Sequence, residues 1–299
     1  NPMIVHISQK GDMTKLTDGI TPDVEKLMAA FWPGPLTMVV PAKDLIPRVT
    51  TGGLATVGVR MPEDETARAL IAAAGTPIAA PSANLSGKPS PTRYSHVAED
   101  LDGRIDAIIA GDDCKAGIES TVVDMTGAVP TILRPGVITR EMLREALNGE
   151  VAVDPALFEK PDIFNNDGNG LLQTGADFHP KAPGMKYKHY APKAKAIIFS
   201  GAPEHVIAAI CKRYDEQTAK GERVAILGLD EHHYGGRTFL SLGSEKRPQE
   251  AAARLFAALR ELDERGDTVA LCEAVDTAGI GLAVMNRMGR AAAFDIEQV

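Results

Sequence analysis

Residues 77–92 read PIAAPSANLSGKPSPT, an apolar run that passes without a break into a loop rich in hydroxyls, amides and glycine. Ile78, Ala79 and Ala80 sit between prolines, the pattern of a short buried strand, and the loop beyond offers Ser82, Asn84, Ser86, Ser90 and Thr92. In layered α/β proteins ligands settle at the carboxyl ends of strands, where hydroxyls and glycine-freed backbone N–H groups suit phosphate or carboxylate. By composition alone such a loop is equally a solvated connection, so the neighbouring elements have to decide.

Upstream, TPDVEKLMAAFWPG (21–34) carries a Thr cap, Pro at the first helical position, and Val24, Leu27, Met28 and Phe31 at helical spacing. It breaks at Pro33-Gly34-Pro35 into the β-rich LTMVVPA, and TVGVRMP supplies a second strand after the Gly52-Gly53 turn. PEDETARALIAAAG (62–75) predicts a helix ending at Gly75. Downstream, RIDAIIAG (104–111), STVVDMT (120–126) and TILRPG (131–136) are expected strands. Thr139 can cap REMLREALNG, with Met142, Leu143, Ala146 and Leu147 on one apolar face.

Strand and helix thus alternate, and residues 1–150 form a first α/β domain. Residues 151–193, with NNDGNG, several prolines and no sustained period, predict a linker. Residues 194–299 predict a small open α/β domain: KAIIFSG, the helix PEHVIAAICKRYDEQTAKG and the strand RVAILGL make a βαβ-like pattern, and a later helix aligns Leu255, Phe256, Leu259 and Leu262. A chain of 299 residues exceeds one comfortable core, which agrees with two units.

The net charge of −8 argues against a protein that coats nucleic acid by bulk attraction, although a local basic site stays open. Cys114, Cys211 and Cys272 lie far apart without metal-binding spacing, which fits reduced thiols in a cytoplasm. No apolar run has the length of a membrane span, and no charged-then-apolar leader opens the chain. The P-loop, GxGxxG, GxSxG, HExxH and EF-hand patterns are missing, so a nucleotide site must be of another kind.

Three more strand ends could close on one place. Arg60 ends TVGVR, Ser120 and Thr121 open STVVD, and Arg134 sits in TILRPG. Arginine forks bind carboxylate and phosphate bidentately, although any one of them could equally be a surface ion pair. FWPGPLT reads as a packing corner, and His6 as either a core histidine or a site residue. KYKHYAP (186–192) places Lys186, Lys188, His189 and Tyr190 in the linker, either as a solvated stretch or as a lid laying an aromatic and cations over a nucleotide.

Taken in order, NPMIVHI, FWPGPLT, TVGVRMP, PSANLSGKPSPT, STVVD, LRPG and KYKHYAP resemble the threonylcarbamoyladenylate synthases, and AVMNRMGRAA (283–292) is similar to that family's C-terminal domain. The resemblance implies a YrdC-like twisted mixed sheet with helices, plus a smaller Rossmann-like α/β domain. It implies synthesis of L-threonylcarbamoyladenylate from L-threonine, bicarbonate and ATP, with release of pyrophosphate, for tRNA modification. It places Asn1, Thr56, Ser82, Ser90, Arg134 and Tyr190 at ATP, and His6, Arg60, Ala80 and Ser120 at threonine, with Mg²⁺ carried by the ATP phosphates and no general base named.

The partners implied are a downstream tRNA threonylcarbamoyl transferase and, weakly, tRNA itself. The chain opens on NPMIVHI without Met, as the middle of a domain, whereas the family it resembles begins with a further strand, helix and basic loop; a missing upstream segment is therefore expected. Two other readings share the fold: a carbamoyltransferase of the hydrogenase-maturation type, which would bring acylphosphatase-like and Cys-rich segments, and a non-catalytic RNA-binding module, against which the acidic charge counts.

Overall fold

The computed structural model describes residues 2–157 and 190–299. They fall into two compact units, one holding residues 2–81 and 120–157, the other residues 82–119 and 190–299. Asn1 and most of the expected linker, including Lys186, Lys188 and His189, lie outside the described residues.

The first unit is built on a seven-stranded mixed sheet. Its strands are β1 (Ile4–His6), β2 (Leu36–Pro41), β3 (Thr56–Arg60), β4 (Ile78–Ala80), β5 (Thr121–Asp124), β6 (Thr131–Arg134) and β7 (Ala152–Val153), in the spatial order β4-β1-β3-β2-β5-β6-β7. Alternation along the strands sends Val5, Met38, Val40, Val57, Val59 and Val123 to one face, where they form the main core with Val24, Leu27, Leu143 and Leu147 of the covering helices. Helix Pro22–Phe31 starts as its sequence predicts, the Thr21 hydroxyl accepting from the Val24 N–H at 3.3 Å. Helix Arg140–Leu147 is capped by Thr139 and buries Leu143 and Leu147. Met142 does not share that face: it is exposed, because it stands about 100° round the helix from Leu143.

The second unit carries a five-stranded, wholly parallel sheet of β8 (Lys195–Ser200), β9 (Val224–Gly228), β10 (Phe239–Ser241), β11 (Val269–Glu273) and β12 (Ile296–Gln298), ordered β10-β9-β11-β8-β12. Its strands are almost continuously apolar and buried, as a sheet covered on both faces requires. Helix Pro203–Ala219 makes the expected crossover from β8 to β9, and helix Pro248–Arg265 buries Leu255, Phe256, Leu259 and Leu262 completely. The connection after β9 leaves toward one edge and that after β11 toward the other, so the topological switch lies between these two strands.

One expected strand does not form. RIDAIIAG at 104–111 adopts no strand, and Ile105 and Ile109 are exposed at 46% and 61%. Its apolar residues have strand propensity, but no ladder pairs with them, and propensity without a partner strand does not make a sheet.

Candidate functional site

On the face of the mixed sheet away from the main core, the ladder aligns a single row. Ile78 stands beside His6, His6 beside Arg60, Arg60 beside Thr37, Thr37 beside Val122, and Val122 beside Arg134. Residues directly opposite on paired strands share a face, so this row presents a histidine, two arginines and a hydroxyl together. Thr56 lies four residues before Arg60 on the same side of β3, and Ala80 pairs with Ile4 in the same way.

Arg134 reaches this face through an irregularity. Val123 pairs with Ile132 but Val122 pairs with Arg134, so β6 has one extra residue. Ile132 belongs to the main core, whereas Leu133 packs with Val39 and Val122 on the other side. The bulge re-aims the strand end, and Arg134 turns to the same side as Ser120, two residues before Val122.

The polar groups hold one another in place. Arg134 donates from Nε to the Ser120 carbonyl and from Nη2 to Ser120 Oγ, each at 3.1 Å. Ser120 Oγ also bonds Thr37 Oγ1 at 2.8 Å. Arg60 donates from Nε to the Gly34 carbonyl at 3.1 Å. FWPGPLT therefore does more than turn a corner. Trp32 is buried with its ring N–H donating to Leu36 O at 2.8 Å, and the Gly34 N–H donates to Met61 O at 2.9 Å, which fixes the carbonyl that orients Arg60. A side chain at Gly34 would meet the Phe31 carbonyl oxygen.

His6 is half-buried, with Nδ1 placed 3.1 Å from the Ile4 carbonyl, so that nitrogen carries the hydrogen. Burial, and after it the Arg60 charge, lower its pKa to about 4 against the backbone oxygens of Ile4 and Ile78. At neutral pH it is an uncharged imidazole beside the Arg60 guanidinium, so the positive charge of the row stays on its two arginines. Among the described residues no group of three or more His, Cys, Asp or Glu could hold a metal ion.

The remaining predicted residues belong to the second unit. Ser82 is exposed, its carbonyl accepting from the Asn84 N–H at 3.0 Å. Ser90 is buried and donates to Glu119 Oε1 at 2.7 Å. Tyr190 is buried with a positive φ of 66° and packs on Phe256 at 4.9 Å between ring centroids. The loop carrying Ser90 is held by Asp100, which accepts from Lys88 and Arg260 at 2.7 Å each, while Arg260 also donates to the Pro89 carbonyl. Burial opposes ionisation of Asp100, but these two cations outweigh it and hold the carboxyl down at about 2.

Sequence reading missed Thr37, Glu119 and the orienting carbonyl of Gly34. A hydroxyl alternating into an otherwise apolar strand was the available signal for Thr37; the partners of Glu119 come from remote sequence and left none.

Two family descriptions match the chain: "Telomere recombination" over residues 1–136, and "Threonylcarbamoyl-AMP synthase, C-terminal domain" over residues 138–293. The threonylcarbamoyl-AMP synthase of Pyrococcus abyssi is 42% identical over 304 residues, spanning 100% of this chain and 82% of that protein. That of Bacillus subtilis is 42% identical over 296 residues, spanning 98% and 79%. The crystal structure of P. abyssi Sua5 complexed with L-threonine superposes with a TM-score of 0.89 at 41% identity, covering 100% of this chain and 82% of that one.

Proposed function

This chain belongs to the threonylcarbamoyl-AMP synthase family, and from that premise we propose that the polar face of its mixed sheet is where L-threonine is held for adenylation. The protein is a transferase that uses ATP to make an adenylate, threonylcarbamoyl-AMP, which serves tRNA modification. The observation that carries the site is the row from His6 through Arg60 and Thr37 to Arg134, with Ser120 bonded into it.

Arg60 offers a fork for the threonine carboxylate, and the Ala80 carbonyl suits its ammonium or the carbamate nitrogen. Neutral His6 and the Ser120 hydroxyl suit the threonine hydroxyl. Thr56 and Arg134 are proposed nucleotide contacts on this face, with Asn1 outside the described residues; Ser82, Ser90 and Tyr190 stay proposed nucleotide contacts in their own unit.

In the proposed reaction the threonine amine and bicarbonate condense to a carbamate with loss of water. A carbamate oxygen then bonds the α-phosphorus of ATP as the bond to the leaving pyrophosphate breaks. Such a transfer needs alignment and charge stabilisation more than a protein base, and pre-set guanidinium groups supply both. Mg²⁺ would arrive with ATP on its phosphate oxygens, since the face offers cations and hydroxyls rather than a carboxylate cluster.

No helix among the described residues is long and apolar enough to cross a membrane. A cytoplasmic setting, a downstream transferase and weak contact with tRNA belong to the same proposal.

The test is detection of threonylcarbamoyl-AMP by mass spectrometry together with pyrophosphate release, omitting ATP, L-threonine and bicarbonate in turn. Product that needs all three supports the reading; an ATP-binding, folded chain that makes none defeats it.

A further inference from the structure

A buried arginine pair in the second unit takes no part in the threonine face. Helix Gly281–Ala291 carries Arg287, 0% exposed, and Arg290, 6% exposed, three residues apart and so on one side of the helix. Arg287 donates from Nε to Glu119 Oε2 at 2.9 Å and from Nη1 to Asn286 Oδ1 at 3.1 Å, while its buried Nη2 has no partner among the described residues. Arg290 makes no side-chain hydrogen bond or ion pair among the described residues.

The only carboxylate paired with either guanidinium among the described residues is Glu119, on Arg287, and that carboxylate is also taking the Ser90 hydroxyl. Asp100, a buried acid of the same unit, is committed to Lys88 and Arg260. Burial pushes the Arg290 pKa down; the nearby Tyr190 resists this and the like charge of Arg287 adds to it.

A buried cation without a counter-ion is costly, and arginine is the side chain whose fixed fork matches phosphate oxygens. The surroundings hold Arg287 in place. The Arg287 guanidinium lies 5.9 Å from the Tyr190 ring centroid, and that ring is packed on Phe256. Gly117, two residues before Glu119, sits so close to Ala252 and Ala253 that a Cβ there would strike their backbone.

We infer that Arg287 and Arg290 form a binding site for a polyphosphate anion, with Arg287 Nη2 and the Arg290 fork as donors and with Glu119 and Ser90 fixing Arg287 in place. The inference rests on the ATP-using reading above, in which an anion of this class, pyrophosphate, is released at every turnover. Two guanidinium forks against one carboxylate favour a multiply charged oxyanion over a monoanion.

The experiment measures inorganic pyrophosphate and AMP binding to the full chain by calorimetry, together with thermal unfolding with and without pyrophosphate. In Arg290→Met, pyrophosphate affinity should fall at least tenfold, and AMP and L-threonine affinities should stay within twofold. The unliganded melting temperature should hold or rise, because an uncompensated buried charge has been removed, and the pyrophosphate-induced increase seen in the parent should vanish. Arg287→Lys, which keeps charge but loses the fork, should lose several-fold affinity.

Pyrophosphate binding within twofold of the parent in Arg290→Met overturns the site. So does a loss of binding that comes only with a large fall in unliganded melting temperature, which would make the arginine a structural element. Threonylcarbamoyl-AMP formation by the parent is read separately: its absence would defeat the functional reading, while the pyrophosphate arm would still decide the site.

Discussion

On the polar face of the mixed sheet, Arg60 and Arg134 are held by carbonyl and hydroxyl oxygens, whereas the crevice between β9 and β11 of the parallel sheet is filled by the Glu273 carboxylate, the phenol bonded to it and an imidazole beside it. There Glu273, 4% exposed, accepts from the Leu229 N–H at 3.0 Å and from the Tyr234 hydroxyl at 2.7 Å, and its other oxygen lies 2.5 Å from His232 Nδ1. Burial, then the Glu273 charge, push the Tyr234 pKa far up, so the phenol stays a donor. By topology the parallel switch point is the place where a ligand is expected. Its own side chains plug it, and the mixed sheet carries the site-like face. Strand topology marks where a site could be; the partners of the polar groups decide whether one is there.

The sharpest way to break this contrast is to remove a fork from the open face. Arg60→Ala should raise the KM for L-threonine on the order of 10²-fold or more, since each charge-assisted hydrogen bond lost is worth about 1.5–3 kcal/mol. Arg60→Lys should recover only part of that, because a point charge cannot replace a fork aimed by Gly34. Steady-state threonylcarbamoyl-AMP formation measures both, and a KM within twofold of the parent would remove Arg60 from the site.

The plugged crevice should respond in the opposite currency, in stability rather than substrate affinity. Gly228 ends β9 directly under the network, and a Cβ there would strike the Tyr234 hydroxyl oxygen and meet Glu273 Oε2 at 3.0 Å. Gly228→Ala should cost on the order of 3 kcal/mol by overpacking and by breaking a buried hydrogen-bonded group. Denaturant titration checks it, and threonine KM should not move. A shifted KM with unchanged stability would mean that the crevice is functional after all.

The same contrast shows what the sequence made legible. Period-two alternation in TVGVR put Val57 and Val59 in the core and left Thr56, Gly58 and Arg60 opposite, so the site face could be read from one strand. Caps at Thr21 and Thr139 fixed two helix starts locally. What could not be read depends on remote pairing. The bulge that turns Arg134 toward Ser120 exists only in the β5–β6 ladder, and the Glu119–Arg287 pair spans 168 residues. RIDAIIAG failed for the same reason: its residues suit a strand, but pairing is a property of the neighbour.

His6 offers the smallest effect and the cleanest sign. Its folded pKa of about 4 lies below the ordinary histidine value, so between roughly pH 6.5 and 4 the unfolded chain binds more protons than the folded one. Stability contributed by the neutral imidazole is complete above that window and lost as pH falls through it. The full shift corresponds to about 3 kcal/mol at about 1.36 kcal/mol per unit, and partial exposure reduces the expected loss to about 1–2 kcal/mol. The measurement is denaturant stability of the parent and of His6→Gln at pH 7.5, 6, 5 and 4.5. The two curves should diverge toward acid, the parent losing more. Parallel curves would mean that His6 titrates normally, and with it would go the argument that burial beside Arg60 keeps this face's histidine neutral and able to accept a hydrogen bond from the substrate.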